Sequence, residues 1–177
     1  MDFGGIIKEF KNNNFDCFKE FYDKTHKQVY FSALSILKDH SLAEDIMQDT
    51  YISFMENIND VKPHCNIYAY LSTIARNLSI NLYNKNKSIV SNDELLNNQI
   101  SEELKIDRDV DKILNLLEDI QEREIVIYHV ILEYKFIEIA TIIDKPLGTI
   151  LWIYNKAIKK LKERIVDLLW QIKNWKT

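Results

Sequence analysis

Between Glu138 and Leu161 two apolar stripes of helical period are separated only by Asp144-Lys145-Pro146, which leaves room for a tight turn and nothing larger. Ile139, Ala140 and Ile143 share one stripe, and Ile150, Ile153, Ala157 and Leu161 recur at i, i+3, i+7 and i+11 on the next. Both stripes must face a shared core. Asp144 suits the turn, since Asp is among the few non-glycine residues that tolerate a left-handed backbone. Pro146 suits the first turn of the second helix, where its missing N–H is harmless. The segment predicts a helix-turn-helix.

In such a motif the N-terminal half of the second helix meets base edges in the major groove. The outward positions here are Leu147, Leu151, Trp152, Asn155, Lys156 and Lys159. Asn155 can pair with an adenine edge, Lys156 and Lys159 can contact phosphate or guanine, and Leu151 or Trp152 can pack on a thymine methyl. The alternative from this segment alone is a helical hairpin whose exposed Trp152 meets a protein partner.

The rest of the chain favours the same architecture. With 3 glycines and 2 prolines among 177 residues, long helices are favoured over a turn-rich β fold, and the expected class is all-α. A hydrophobic content of 46% is ample for cores. The net charge is −4, but its distribution says more than its sum. Residues 88–111 hold seven acidic side chains against Lys105 and Arg108, whereas residues 145–176 hold eight basic ones against Glu163 and Asp167. A basic end suits a phosphate backbone. The acidic stretch from about Ser88 to Asp109 lacks sustained apolar periodicity and reads as a linker. It separates a first helical domain, residues 1–87, from a second, residues 110–177.

No apolar run approaches the roughly 18 to 20 residues needed to span a bilayer, and no basic-then-apolar leader is visible at the N-terminus, so a cytoplasmic protein without membrane insertion is expected. Cys17 and Cys65 stand without metal-type spacing, so no zinc site or disulfide framework is indicated. No phosphate-cradling glycine loop, metal-ligand cluster or nucleophile-base pair is present, so neither catalysis nor a cofactor is expected.

In the first domain Phe15, Phe18, Phe21 and Tyr22 open a helix that continues through Val29, Tyr30, Ala33, Leu34 and Leu37 until Asp39-His40-Ser41 breaks it. Ser41 and Glu44 have capping-box spacing, which predicts a helix from Leu42 to about Ile58 with Ala43, Ile46, Met47, Thr50 and Phe54 inside. Residues 59–66, with Pro63, read as a loop. A further helix starts near Asn66, with Ile67, Leu71, Ile74, Leu78 and Leu82 on one stripe and Arg76, Asn77, Asn81 and Lys85 off it. In the second domain Ile113, Leu116, Leu117 and Ile120 mark one helix, and Ile125, Val126, His129, Val130 and Ile131 the next. His129 reads as a half-buried packing residue. Leu168, Leu169 and Ile172 predict a helical tail that caps this domain.

Three strings then occur in order: Leu42-Ala-Glu-Asp-Ile-Met-Gln-Asp-Thr-Tyr51, Ala69-Tyr-Leu-Ser-Thr-Ile-Ala-Arg-Asn-Leu78, and Glu138-Ile-Ala followed by Gly148-Thr149-Ile150 and Ala157-Ile-Lys-Lys-Leu161. Together they resemble the extracytoplasmic-function group of bacterial sigma factors, in the sigma-70 superfamily. The resemblance implies a non-catalytic specificity subunit whose partners are bacterial RNA polymerase core and promoter DNA, and it leaves room for an anti-sigma factor. The first domain would be region 2-like, with Asp45, Gln48 and Asp49 facing the polymerase clamp. Loop 59–66, carrying Lys62 and His64, would capture a flipped minus-ten base, and Arg76, Asn77, Asn81 and Lys85 would line the strand's path. The second would be region 4-like, with Gly148, Thr149, Leu151, Trp152, Asn155, Lys156 and Lys159 at the minus-35 element. Departures from the family pattern are Leu151-Trp152-Ile153, where Lys, Ser and Arg are common, Asp144 in place of a turn glycine, and few basic residues after Asn81. The competing readings are a sigma-like regulator that touches promoter DNA through the second domain but cannot open it, and a protein-interaction module that binds the clamp or an anti-sigma partner through Trp152, Trp170 and Trp175.

Overall fold

Apolar residues repeating every three to four positions come to one side only if the backbone coils as a helix. In the computed structural model every regular element among the described residues, 2–89, 110 and 115–174, is helical, as expected of an all-α chain. The chain divides into two compact units, Met1–Ser101 and Glu102–Thr177. The acidic stretch after residue 89, the predicted helix position Ile113 and the side chains after Arg164, with Trp170, Trp175 and the predicted capping stripe, lie outside the described residues.

The first unit contains α1 (Phe3–Lys11), α2 (Phe18–Leu37), α3 (His40–Glu56) and α4 (Ile67–Ile89), with a 3-10 turn at Ile58–Asp60. Helices α2, α3 and α4 pack on one another around an aromatic core. Phe21 stacks on Phe54 with ring centroids 5.1 Å apart, and Phe10 meets Phe21 edge-on at 5.4 Å. Such pairs add about 0.5–1.5 kcal/mol to what their burial contributes. Tyr51 reaches into this core, where its hydroxyl lies 2.8 Å from that of Thr25, and burial pushes its phenol pKa up.

Three local features differ from the sequence expectation. Helix α1 is new. Its Ile6, Ile7 and Phe10 are buried, and Asp2 caps it by accepting from the N–H of Gly5 at 2.9 Å. Adjacent Gly4 and Gly5 lower its intrinsic propensity, so tertiary burial holds it. The start of α3 is the second difference. Asp39, in an extended conformation, is the N-cap and accepts from the N–H of Leu42 at 3.0 Å, whereas Ser41 is exposed within the first turn. Asp and Ser are nearly equal caps, and the chain leaves α2 through a left-handed Lys38, which brings Asp39 into position first. The third lies on α4, where Ile67 and Leu71 are buried but Ile74, Leu78 and Leu82 are half-buried. Small Ser72, Ala75 and Ser79 are fully buried in their place. Helix α2 likewise buries Ser32, Ala33 and Ser35, so two faces of small residues are available where α2 and α4 pack.

The second unit contains α5 (Ile120–Val126), α6 (Phe136–Ile143) and α7 (Leu147–Asn174). Leu117, Val126, Ala157 and Leu161 form a core cluster with Leu116, Tyr154 and Ile158 against it. The helix predicted through Ile131 changes character after Val126. A π-helical turn, Ile127–Ile131, closes with the N–H of Leu132 on the carbonyl of Ile127 at 3.0 Å. The wider turn buries Ile127 and Tyr128 and turns Val130 outward to 48% exposure, so Val130 is not the core residue its spacing suggested.

The two capping assignments make different predictions. Asp39→Ala should lower stability by about 1 kcal/mol, while Ser41→Ala should leave it within about 0.5 kcal/mol, in urea unfolding followed by far-ultraviolet circular dichroism. A larger loss from Ser41→Ala would restore the serine as the cap.

Candidate nucleic-acid interface

Helices α6 and α7 form the predicted helix-turn-helix. Glu138 anchors the start of α6 by accepting from the backbone N–H of Lys135 at 2.9 Å, half of a capping box because lysine has no acceptor to return. Asp144 ends α6 in the left-handed region at φ 57° and ψ 55°, and the N–H groups of both Asp144 and Lys145 point to the carbonyl of Ala140. Pro146 stands one place earlier than predicted. Its carbonyl accepts from Ile150 at 3.2 Å, which makes it the cap rather than a first-turn residue, and its absent N–H is harmless there too. Ile139, Ile142 and Ile143 on α6 and Ile150, Ile153, Ala157 and Leu161 on α7 are buried. His129 braces the approach to α6. Its ring stacks on Phe136 with centroids 4.0 Å apart, and its Nδ1 lies 3.0 Å from the carbonyl oxygen of Tyr134, so that nitrogen donates.

With its core stripe satisfied, α7 turns a different set of side chains outward. Leu147, Gly148, Leu151, Trp152, Asn155, Lys156 and Lys159 are exposed, and Thr149 is half-buried. Trp152 reaches 64% exposure, and Ile137 at the start of α6 reaches 59%. A Cβ added at Gly148 would meet nothing within 4 Å. No contact inside the unit therefore asks for glycine there, although alanine is the better helix former.

The lysines of α7 are not equivalent. Glu122, in the first turn of α5, is almost completely buried, and both its carboxylate oxygens lie 2.7 Å from Nζ of Lys160. Lys156 reaches the same carboxylate at 3.1 Å and also lies 5.3 Å from the Trp152 ring centroid. Lys159 is 79% exposed, with Glu163 only at the 4.0 Å limit of an ion pair. Beside Glu122, buried Arg123 donates to the carbonyls of Leu117 and Glu118 at 3.0 and 2.6 Å, and Arg164 of α7 lies 3.5 Å from the Glu118 carboxylate. Residue spacing alone treats Lys156 and Lys159 alike. The missed signal was Glu122, whose partners are set by α5 packing on α7.

In the first unit Asp45, Gln48 and Asp49 are exposed on one face of α3. One turn on, Ile52 is 57% exposed and, with Phe18, Tyr51, Met55 and Glu56, lines a shallow apolar depression of about 310 Å³. Sequence spacing did not single out this hydrophobic neighbour. On α4 Asn77, Asn81 and Lys85 are exposed at four-residue spacing, and Arg76 beside them is half-buried. Lys62 and His64 are exposed in the segment before α4. That segment is backed by α1: Lys11 donates to the carbonyl of Asn59 at 2.9 Å, and a Cβ on Gly4 would lie 3.3 Å from the carbonyl oxygen of Pro63. No group of three or more metal-type ligands occurs among the described residues, and no helix there is long and apolar enough to cross a membrane.

A helical first unit with these faces and a second unit with a helix-turn-helix are what the comparisons with known proteins have to account for. Residues 21–89 match the family model for Sigma-70 region 2. The chain is similar to the ECF RNA polymerase sigma factor SigW of Bacillus subtilis strain 168, at 26% identity over 92% of this chain and 96% of that protein. Among solved structures it resembles the sigma factor RpoE from Bartonella quintana, crystallised with the anti-sigma factor NepR. That match has a TM-score of 0.69 and 25% identity over 82% of this chain and 94% of the other. CnrH in complex with the cytosolic domain of CnrY shares the fold, with a TM-score of 0.70 at 17% identity, covering 93% of this chain and 97% of that one. Residues 21–89 thus carry a Sigma-70 region 2 match, and along most of its length the chain is similar to sigma factors of the extracytoplasmic-function group.

The left-handed turn gives a direct test of the motif. Asp144→Val should lower the stability of the second unit by about 1–2 kcal/mol, because a β-branched side chain without Asp's local polar contacts fits the left-handed region poorly. Asp144→Gly should preserve it. Tryptophan fluorescence during urea unfolding reports this unit selectively, because Trp152, Trp170 and Trp175 all follow the turn. Equal stability of the two variants would remove the conformational argument.

Proposed function

We propose that this chain is an alternative sigma factor that binds bacterial RNA polymerase core and directs it to specific promoters, with no catalysis and no cofactor of its own. The observation that carries the reading is that similarity to a sigma factor runs through both units, while each unit keeps a polar or mixed face exposed after its core is satisfied. In this reading residues 1–87 are the region 2-like domain, 88–109 the linker and 110–177 the region 4-like domain. Asp45, Gln48 and Asp49 meet the polymerase clamp, where acidic and amide groups set register and on-rate more than raw affinity. Ile52 adds apolar area at the edge of that contact. Lys62 and His64 lie on the segment that captures a base from the non-template strand, whose unstacking costs a few kcal/mol. Arg76, Asn77, Asn81 and Lys85 follow the strand. The outward face of α7 reads the minus-35 element.

A protein partner for the same surfaces is a second reading, favoured by the exposure of Ile137, Leu147, Leu151 and Trp152. The solved relatives are bound to an anti-sigma factor or to a partner's cytosolic domain, and an anti-sigma factor of that general role is a natural partner here.

Runoff transcription with RNA polymerase core and fragmented genomic DNA separates these readings. New transcripts that depend on the chain and share two spaced elements are expected. Core binding without transcripts would replace the sigma assignment with the interaction reading, and absence of core binding would end the sigma assignment and favour a regulator that does not engage polymerase. The double reversal Asp45→Lys with Asp49→Lys should abolish core binding while leaving helical content unchanged. Gly148→Ala should stabilise the second unit by up to about 1 kcal/mol yet weaken promoter binding, because only a bound partner needs the space at that position.

A further inference from the structure

We propose that Glu122 is a positioning residue that ties up the ammonium groups of Lys156 and Lys160 and thereby gives α7 a reading face that is apolar in its contacts rather than basic. This deepens the assignment of α7 as the DNA-reading helix and rests on it. The argument begins from burial. A carboxylate with 1% of its side chain exposed is unfavourable in a protein interior unless it is paired. Lys160 satisfies both oxygens at 2.7 Å, and Lys156, one helical turn earlier, adds a third contact at 3.1 Å.

A phosphate in water competes poorly for either ammonium, because the pair with Glu122 lies where solvent screens it less. Tethered to Glu122, Lys156 and Lys160 keep 46% and 41% of their side chains exposed but have their ammonium groups engaged, which leaves Leu147, Leu151, Trp152 and Asn155 outward with Lys159 as an untethered cation among them. Lys156 also sits over the Trp152 ring, which restrains the indole against α7. The thymine methyl is the apolar group that base pairs present in the major groove, and Asn is suited to adenine. The geometry therefore points to an A·T-rich upstream element read mainly by thymine methyls, with only weak dependence on salt.

The test uses the full chain and the promoter duplex found by runoff transcription, with affinity followed by fluorescence anisotropy across a salt series. Each phosphate contact contributes about 0.9 to the slope of log K against log salt. Lys159→Gln should lower the slope by about that amount, whereas Lys156→Gln and Lys160→Gln should not change it. Glu122→Gln should raise it by about 1–2 as the two lysines are released. Replacing thymine by uracil in the upstream element, which removes only the methyl, should weaken wild-type binding at least several-fold.

A slope that falls equally for Lys156→Gln, Lys160→Gln and Lys159→Gln would overturn the inference, as would an unchanged slope for a folded Glu122→Gln. A DNA-free readout separates this inference from the assignment beneath it. Amine acylation of the free chain, read by mass spectrometry, should modify Lys156 and Lys160 several-fold more slowly than Lys159, and Glu122→Gln should erase the difference. Equal labelling in the wild type sinks the tether itself. Protected lysines in a chain that binds no promoter DNA would instead sink the DNA-reading role of α7 and the reading face with it.

Discussion

The second unit buries two carboxylates of α5, Glu122 and Glu124, and the ion pairs that the first makes with α7 organise it. Glu122 leaves the first turn of α5 and closes on Lys160 and Lys156 of α7, so α7 can rotate on α5 only within the reach of those two side chains. Such a pair contributes less to stability than its short distances suggest, because desolvation offsets most of the attraction. Its effect lies in register. With Lys156 and Lys160 held toward α5, the Ile150, Ile153, Ala157 and Leu161 stripe faces inward and the Leu147, Leu151 and Trp152 surface faces out. Arg123 works alongside by bonding the carbonyls of Leu117 and Glu118, which ties the segment before α5 to the same core.

The first unit solves a different problem. It holds four helices together through aromatic rings and small side chains, without a comparable buried ion pair among the described residues. Stacked Phe21 and Phe54 join α2 to α3, and buried Ser72, Ala75 and Ser79 allow α4 a close approach. Helix α1 then rests on the segment after α3, where Gly4 leaves just enough room for the carbonyl of Pro63. A loop backed in this way can present Lys62 and His64 from a fixed base.

Much of the candidate site was legible because it depends on local rules. Asp144 could be placed in the turn from its tolerance of a left-handed backbone, and it adopts that conformation. The outward face of α7 followed from the four buried positions that alternate with it. Glu122 was not legible, since a glutamate in a helix is usually solvated and nothing in its neighbourhood marks it as buried. Helix α1 was hidden by two glycines whose unfavourable propensity is outweighed by burying Ile6, Ile7 and Phe10. The π-helical turn at Ile127–Ile131 defeated the period itself, because one wider turn shifts every later residue to a new face.

Helical period, turn chemistry and the order of three short motifs were enough to define an all-helical chain with a helix-turn-helix and a likeness to sigma-70 factors. These are short-range properties, written within a few residues of where they act. Which near-equivalent cap starts α3, which residues of α4 lie deepest and which lysines of α7 remain available all depend on groups distant in sequence. Glu122 and Lys160 stand 38 residues apart, and Lys11 and Asn59 stand 48 apart. Contacts of that kind exist only once helices have packed, so only the folded chain could show which lysines of the outward α7 face are tied to Glu122.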